Sequence, residues 1–371
     1  MKKILVVDDS ALMRRVLFDI INSDENLTAD KYAVNGLDAL EILKSGQKFD
    51  AIVLDINMPK MNGIEFLREL RKMGMRENVL IVSTLAKEDA KETIQALELG
   101  AIDFLTKPDS LSEAKGTDFS SRLISMLHIA ASIGSTEKSS SGSEKPVLKK
   151  ESAPKRAEAS ARPQRKPHLD KSPVGKGANK LVALACSTGG PKALQYVIPF
   201  LPANLDAPVL IVQHMPEGFT SSLSTRLDEL SRVNVRESLD GETIKKGNVY
   251  LAKGGSQMRL LEKSASTHVL SVRTDEPARG GLKPCADIMY ESLVNSSFDE
   301  ITCVVLTGMG ADGTKGILQL EQTNKIYVIA QDEPTSTVYG MPKAVYNAGV
   351  VDEVVALKGI ADAITKHVGV R

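Results

Sequence analysis

The chain of 371 residues has no tryptophan and only eight Phe and seven Tyr. Its core must therefore be packed with Leu, Ile, Val, Ala and Met. Cysteine is nearly as scarce: Cys186, Cys285 and Cys303 are an odd set with no C-x-x-C spacing. That excludes a disulfide framework and a zinc ribbon, and leaves buried small apolar side chains in a reducing compartment as the reading. Net charge is also lacking, with 47 Lys and Arg against 47 Asp and Glu. A neutral chain has no electrostatic footprint for general nucleic-acid or membrane-surface binding. No apolar run approaches the roughly 18 residues that a bilayer-spanning helix needs, so no direct membrane insertion is expected. The N-terminal run Ile4–Val7 meets Asp8 and Asp9 too early for a secretory signal. The expectation is a cytoplasmic protein with no nucleic-acid partner.

What is present is ordinary for a soluble chain, 42% hydrophobic and 25% charged. At roughly 150 residues per domain the length favours two or three domains. One segment stands apart. Between positions 135 and 178 the chain holds five prolines, many serines and eleven Lys or Arg against five Asp or Glu. Its only large apolar residues are Val147, Leu148, Leu169 and Val174, too little to offset the entropy of ordering it. We read 134–178 as a flexible linker between domains at 1–133 and 179–371.

Apolar runs and helical patterns alternate through 1–133. Lys3–Val7 ends in Asp8-Asp9, Ala51–Leu54 in Asp55, Val79–Val82 in Ser83-Thr84 and Ala101–Thr106 in Lys107-Pro108. Between them, Leu12–Ile21, Gly36–Leu43, Gly63–Met73 and Asp89–Leu99 space apolar residues three and four apart, and a last helix is predicted near Phe119–Ala131. This is β-α repetition, hence a parallel sheet with helices on both faces. Chemistry in such sheets lies beyond the carboxyl ends of the strands. Carboxylates converging there repel one another unless a hard cation such as Mg²⁺ takes their oxygens. An aspartate can also accept a phosphoryl group, with Lys107 pairing the phosphoryl oxygens and Ser83 donating to them. The alternative is that Asp9-Ser10 simply caps a helix and the other aspartates serve turns. Four polar features on four successive strand ends weigh against it.

These residues carry a resemblance. Leu5-Val6-Val7-Asp8-Asp9-Ser10, Val53-Leu54-Asp55-Ile56-Asn57-Met58-Pro59, Val82-Ser83-Thr84 and Thr106-Lys107-Pro108 resemble a response-regulator receiver domain across the whole N-terminal region. The resemblance implies a five-stranded flavodoxin-like fold and Asp55 as the phosphorylated residue. It implies Mg²⁺ held by Asp8, Asp9, Asp55 and the Asn57 carbonyl. Ser83, Phe104 and Lys107 fall at the switch positions, and a sensor histidine kinase is the implied phosphodonor.

Residues 179–371 begin with the buried-strand pattern Lys180–Ala185; further runs are Val209–Val212, Asn248–Ala252, Ile301–Thr307 and Lys325–Ala330. Helical patterns lie near Lys192–Phe200, Thr220–Leu230, Cys285–Val294 and Gly313–Gln322, and Asn234–Val272 reads as strands and hairpins. The expectation is a mostly parallel sheet with an antiparallel insertion. Of five histidines, only His214 directly follows a buried-strand pattern. Ala183-Leu184-Ala185-Cys186-Ser187-Thr188-Gly189-Gly190-Pro191 puts a serine between strand and helix, approximating the G-x-S-x-G nucleophile elbow. Asp312 also follows a strand and opens a helix, where a carboxylate could orient His214. Each has a plainer reading: Ser187-Thr188 as a helix cap, Asp312 as a turn residue before Gly313, a lone histidine as structural. Gly308-x-Gly310-x-x-Gly313, with Asp332 and Glu333 some 20 residues on, also fits a dinucleotide-binding turn. Against that, Asp312 would place an anion where a pyrophosphate must sit, and the loop comes late in its domain.

A second resemblance covers nearly all of 179–371. Ala185-Cys186-Ser187-Thr188-Gly189-Gly190-Pro191, Val212-Gln213-His214-Met215-Pro216 and Leu306-Thr307-Gly308-Met309-Gly310-Ala311-Asp312-Gly313 resemble the chemotaxis protein-glutamate methylesterases of CheB type. Gly247-Asn248-Val249-Tyr250-Leu251-Ala252 and Arg279-x-x-x-Lys283-Pro284 fit as well. The resemblance implies a three-layer α/β/α esterase with a Ser187–His214–Asp312 triad. Oxyanion donors would come from backbone N–H groups around Thr188 and Met309, and the ester chemistry would need no cofactor. The implied reaction is hydrolysis of γ-glutamyl methyl esters, with deamidation of glutamines, on methyl-accepting chemoreceptors. The fold class expected is thus two doubly wound parallel-sheet domains joined by a linker.

Overall fold

The computed structural model describes residues 1–84, 87–108, 117–133, 177–264 and 267–371. Of the linker expected at 134–178, all but Gly177 and Ala178 lies outside the described residues. The first sheet has the order β2-β1-β3-β4-β5, every pairing parallel. Its strands are β1 (Lys2–Val7), β2 (Leu27–Ala33), β3 (Ala51–Leu54), β4 (Val79–Ser83) and β5 (Asp103–Thr106). Helices α1 (Ala11–Ile21), α2 (Gly36–Lys44), α3 (Gly63–Lys72), α4 (Lys87–Leu99) and α5 (Thr117–Ser132) alternate with them. The central strands β3 and β4 are buried throughout and apolar except for the terminal Ser83, as a sheet covered on both faces demands. β2 has no such run. It reads Leu-Thr-Ala-Asp-Lys-Tyr-Ala with Asp30, Lys31 and Tyr32 exposed, charges that suit an edge strand and hide it from an apolar scan.

Caps fix where the helices begin. Ser10 accepts the Met13 N–H at the start of α1, and Asn62 closes a capping box with Glu65 at the start of α3. The cap at the end of β1 is therefore Ser10. Asp8 Oδ1 accepts the Ser10 N–H at 2.8 Å, which leaves its second oxygen and Asp9 for other work.

The second sheet has seven parallel strands in the order β14-β13-β12-β6-β7-β9-β8. They are β6 (Lys180–Cys186), β7 (Val209–Gln213), β8 (Asn234–Glu237), β9 (Asn248–Leu251), β12 (Glu300–Val305), β13 (Ile326–Gln331) and β14 (Glu353–Val355). The antiparallel strand pair is the hairpin β10 (Gln257–Ser264) and β11 (Thr267–Arg273). Asn234–Glu237, expected among the hairpins, instead pairs in parallel with β9. Helices α6 (Gly190–Gln195), α7 (Phe219–Leu230), α8 (Ala286–Glu291), α9 (Thr314–Leu320), α10 (Met341–Asn347) and α11 (Ile360–Val368) complete the layers. The chain leaves β6 toward β7 on one side and later returns to β12 on the other, so the sheet reverses direction at β6. The first sheet reverses at β1 in the same way.

The two sheets share apolar packing. One continuous cluster runs from Ile94 and Phe104 beside the first sheet to Leu223 and Phe219 beside the second. The Phe104 and Phe219 rings stack with centroids 4.6 Å apart, a geometry that adds about 1 kcal/mol beyond area burial. At the border, Arg226 on α7 pairs with Glu98 on α4 at 2.5 Å. Both are partly exposed, so this pair adds well under about 1 kcal/mol, and the ring contact dominates.

Candidate active site

The carboxyl ends of β6, β7 and β12 lie side by side at the reversal point of the second sheet, and each carries one of the three residues singled out from the sequence. The ends are stitched together by backbone bonds: Ser187 N–H donates to the Thr307 carbonyl at 3.0 Å, and His214 N–H to the Cys186 carbonyl at 3.2 Å. Gln213, fully buried, donates from Nε2 to the carbonyls of Ser187 (3.0 Å) and His214 (3.2 Å). Close approach needs small residues here. A Cβ at Gly190 would collide with Gln213 Oε1, and one at Gly308 with Met341 Sδ and Ser187 Cβ.

His214 and Asp312 are in direct contact, Nε2 to Oδ2 at 2.7 Å, both side chains at most a tenth exposed. Each Asp312 oxygen has a second donor. Ala286 N–H reaches Oδ2 at 2.6 Å; Asp287 N–H (3.0 Å) and the Cys285 thiol (3.1 Å) reach Oδ1. Burial alone would raise this carboxyl, but the His214 contact and the two amides outweigh it and hold the pKa at about 2. Asp312 is thus a fixed anion turned toward an imidazole. That arrangement suits a general base next to a serine and leaves no room for a pyrophosphate in the Gly308–Gly313 turn. Ser187 is half-buried, Thr188 buried, and the Met309 side chain exposed. Among the amides after the serine, Gly190 N–H is taken by the Ser187 carbonyl.

The first sheet gathers a second site at its own reversal point. Carboxylate oxygens of Asp8, Asp9 and Asp55 all lie within 4.8 Å of one another. Lys107 Nζ bridges Asp55 at 2.6 Å and Asp8 at 2.9 Å. Burial raises the Asp55 pKa to about 6, with Asp8 adding to the rise and Lys107 opposing it. Burial would lower the Lys107 ammonium, and the two carboxylates more than reverse that. Ser83 is buried on the neighbouring strand end, and its Oγ has no hydrogen-bond partner among the described residues. Asn57 is exposed beside the cluster. An all-oxygen donor set with a crowded, partly buried charge fits a hard cation such as Mg²⁺.

No motif singles out Asp103. It opens β5, is buried, and accepts the Phe104 N–H at 2.8 Å, with the Thr188 hydroxyl and the Gly189 N–H of the other unit close by. Burial raises its pKa to about 6, with the Phe104 N–H and those two neighbouring donors opposing. Cys285 and Asp287 are likewise site residues that no motif announced.

Family comparisons match this architecture twice. Residues 182–364 fit the model described as CheB methylesterase, and residues 4–115 the response regulator receiver domain. A protein-glutamate methylesterase/protein-glutamine glutaminase from Syntrophomonas wolfei is 39% identical over 365 residues, 98% of each chain. Its counterpart from Bacillus subtilis is 38% identical over 371 residues, 99% of each. The chain belongs to the CheB methylesterase family. Among solved structures, the CheB methylesterase catalytic domain of Thermotoga maritima is 36% identical, with a TM-score of 0.48, covering 51% of this chain and 98% of that one. As a family member the chain joins a receiver to a methylesterase, which makes it a hydrolase of the two-component kind used in chemotaxis. Among the described residues no helix is long and apolar enough to cross a membrane.

Proposed function

We propose that Ser187, His214 and Asp312 form the triad with which this methylesterase hydrolyses γ-glutamyl methyl esters, and deamidates glutamines, on methyl-accepting chemoreceptors in the cytoplasm. The observation that carries the reading is the 2.7 Å contact of His214 Nε2 with Asp312, beside the strand end that presents Ser187. With Nε2 committed to Asp312, Nδ1 is the nitrogen that takes the Ser187 proton as Oγ adds to the ester carbonyl carbon. The intermediate's oxyanion is met by backbone N–H groups near Thr188 and Met309. When it collapses, the imidazolium proton goes to the departing oxygen and methanol leaves; from glutamine, ammonia leaves. Water then adds to the acyl-enzyme, gives its proton to His214, and glutamate is released as the proton returns to Ser187. Every proton has an acceptor among these side chains, so the hydrolysis itself calls for no cofactor.

The receiver, read as 1–133 with the linker 134–178 joining it to the esterase at 179–371, would take a phosphoryl group on Asp55 from a sensor histidine kinase. Asp8, Asp9, Asp55 and the Asn57 carbonyl would hold Mg²⁺, which supplies positive charge to the phosphoryl oxygens. The unpartnered Ser83 hydroxyl and Lys107 suit the same oxygens. Regulation by occlusion is supported by the contact of Asp103 with Thr188 and Gly189, and by the stacking of Phe104 on Phe219. β5 runs directly from those contacts to Lys107, so a change at the phosphorylation site reaches the catalytic loop through one short strand.

Release of labelled methanol from methylated receptor membranes tests the reading. The wild-type chain is expected to release it, faster with acetyl phosphate, and Ser187→Ala to release it on the order of 10⁴-fold more slowly. Near-normal release by that variant would overturn the triad.

A further inference from the structure

The triad carboxylate is held from a direction that the hydrolytic reading does not use. The segment Cys285–Asp287 faces Asp312 and gives it three donors: the Cys285 thiol, the Ala286 amide and the Asp287 amide. The contact is reciprocal. Asp287 Oδ1 accepts the N–H groups of Gly313 (2.9 Å) and Gly316 (2.8 Å), in the loop and helix that follow Asp312. Each acidic residue is thus satisfied by the backbone of the other's segment. The clasp is anchored outside: Cys285 N–H donates to Oε1 of Gln257 at 3.0 Å, and Gln257 Nε2 donates to the Leu282 carbonyl at 3.1 Å. Gln257 is fully buried and opens β10, the first strand of the antiparallel hairpin.

From this geometry we infer that Cys285 is a positioning residue for the esterase reaction, its thiol fixing the plane of the Asp312 carboxylate, with Asp287 and Gln257 setting the segment that presents it. The inference rests on the triad reading above. The chemistry follows from what a thiol can do. Cys285 is 2% exposed, and burial, with the Asp312 charge second, pushes its pKa up to about 12. It therefore stays protonated and acts as a donor, neither nucleophile nor redox centre. An S–H donor is weak, so it orients the carboxylate without drawing much of its charge away from His214. If the donor is lost, Oδ1 keeps the Asp287 amide alone and the carboxylate turns more freely.

The full-length protein tests this with Cys285→Ala, Cys285→Ser and Asp312→Asn, each followed by methanol release kinetics and by thermal unfolding. Cys285→Ala is expected to lower kcat on the order of 3- to 10-fold with KM unchanged. Cys285→Ser restores the donor and should restore kcat. A lower melting temperature with kcat unchanged, or equal behaviour of Ala and Ser, would show a packing role only and overturn the inference. Asp312→Asn separates the two levels. If it too leaves kcat intact, the triad reading fails; if it abolishes turnover while Cys285→Ala changes nothing, only the positioning role fails.

Discussion

Two parallel sheets in this chain put carboxylates at the same topological place and tune them in opposite directions. Asp55, beyond β3, is raised to about 6 by burial among other acids. Asp312, beyond β12, is held at about 2 by an imidazole and two amides despite comparable burial. The difference lies in the partners. Asp55 faces Asp8 and Asp9 with one lysine to share, so its surroundings are short of positive charge, which suits a cation and a phosphoryl group. Asp312 has all its lone-pair directions met by donors, which suits a carboxylate that holds a neighbour still. A common architecture thus supports a receptive site and a saturated one, and the donors around each carboxylate decide which.

The comparison breaks most visibly at the esterase. Ser187→Ala, and Asp312→Asn through the wrong imidazole tautomer, are expected to lower methanol release on the order of 10⁴-fold. A loss below tenfold for Asp312→Asn would mean that the saturated carboxylate is only structural. Next comes the receptive site. Asp55→Asn should leave basal release intact and remove the stimulation by acetyl phosphate, roughly the 5- to 150-fold that a coupling of 1–3 kcal/mol allows. Persistent stimulation would place the phosphoryl group elsewhere. Between the two sheets, Asp103→Ala should raise unphosphorylated release about 2- to 10-fold by freeing Thr188 and Gly189; no rise would leave occlusion to the apolar contact alone.

The smallest effect is on stability against pH, and its sign differs between the two carboxylates. Asp312 is depressed from 3.8, so it stabilises the fold above that pH, and about 2 kcal/mol is lost as pH falls from 3.8 to about 2. Asp55 is raised, so its contribution improves as pH falls from about 6 to 3.8. Calorimetry should show Asp55→Asn flattening the upper window and Asp312→Asn the lower one.

Much of this was legible in the residue order. Buried runs followed by Asp8-Asp9, Asp55, Ser187, His214 and Asp312 marked the sheets and pointed to the candidate sites, because a strand covered on both faces must be apolar until it emerges. The elements that escaped are those without such runs. β2 is a charged edge strand, β14 has three residues, and β8 lies in a polar stretch resembling a hairpin. Helices α10 and α11 were also missed; α10 opens at Met341-Pro342 after a loop rather than a strand. At the site, Cys285, Asp287 and Asp103 carry no local motif. Their roles come from contacts 25 or more positions away or across to the other unit, and nothing in a linear pattern encodes such pairings. The overlap of a dinucleotide-type glycine spacing with Asp312 is resolved only when the carboxylate is seen facing His214.

β5 is four residues long, and its ends have different owners: Asp103 answers to the esterase loop, while Lys107, just beyond Thr106, answers to Asp55. The two halves of this protein are therefore not interchangeable parts. A receiver grafted from an unrelated regulator would bring its own acidic cluster, lysine and switch residue, yet lack the aspartate beside Gly189 and a ring fitted to Phe219. Such a chimera would be phosphorylated normally and transmit nothing. Changes in β5 and in the loop after Ser187 must be inherited together.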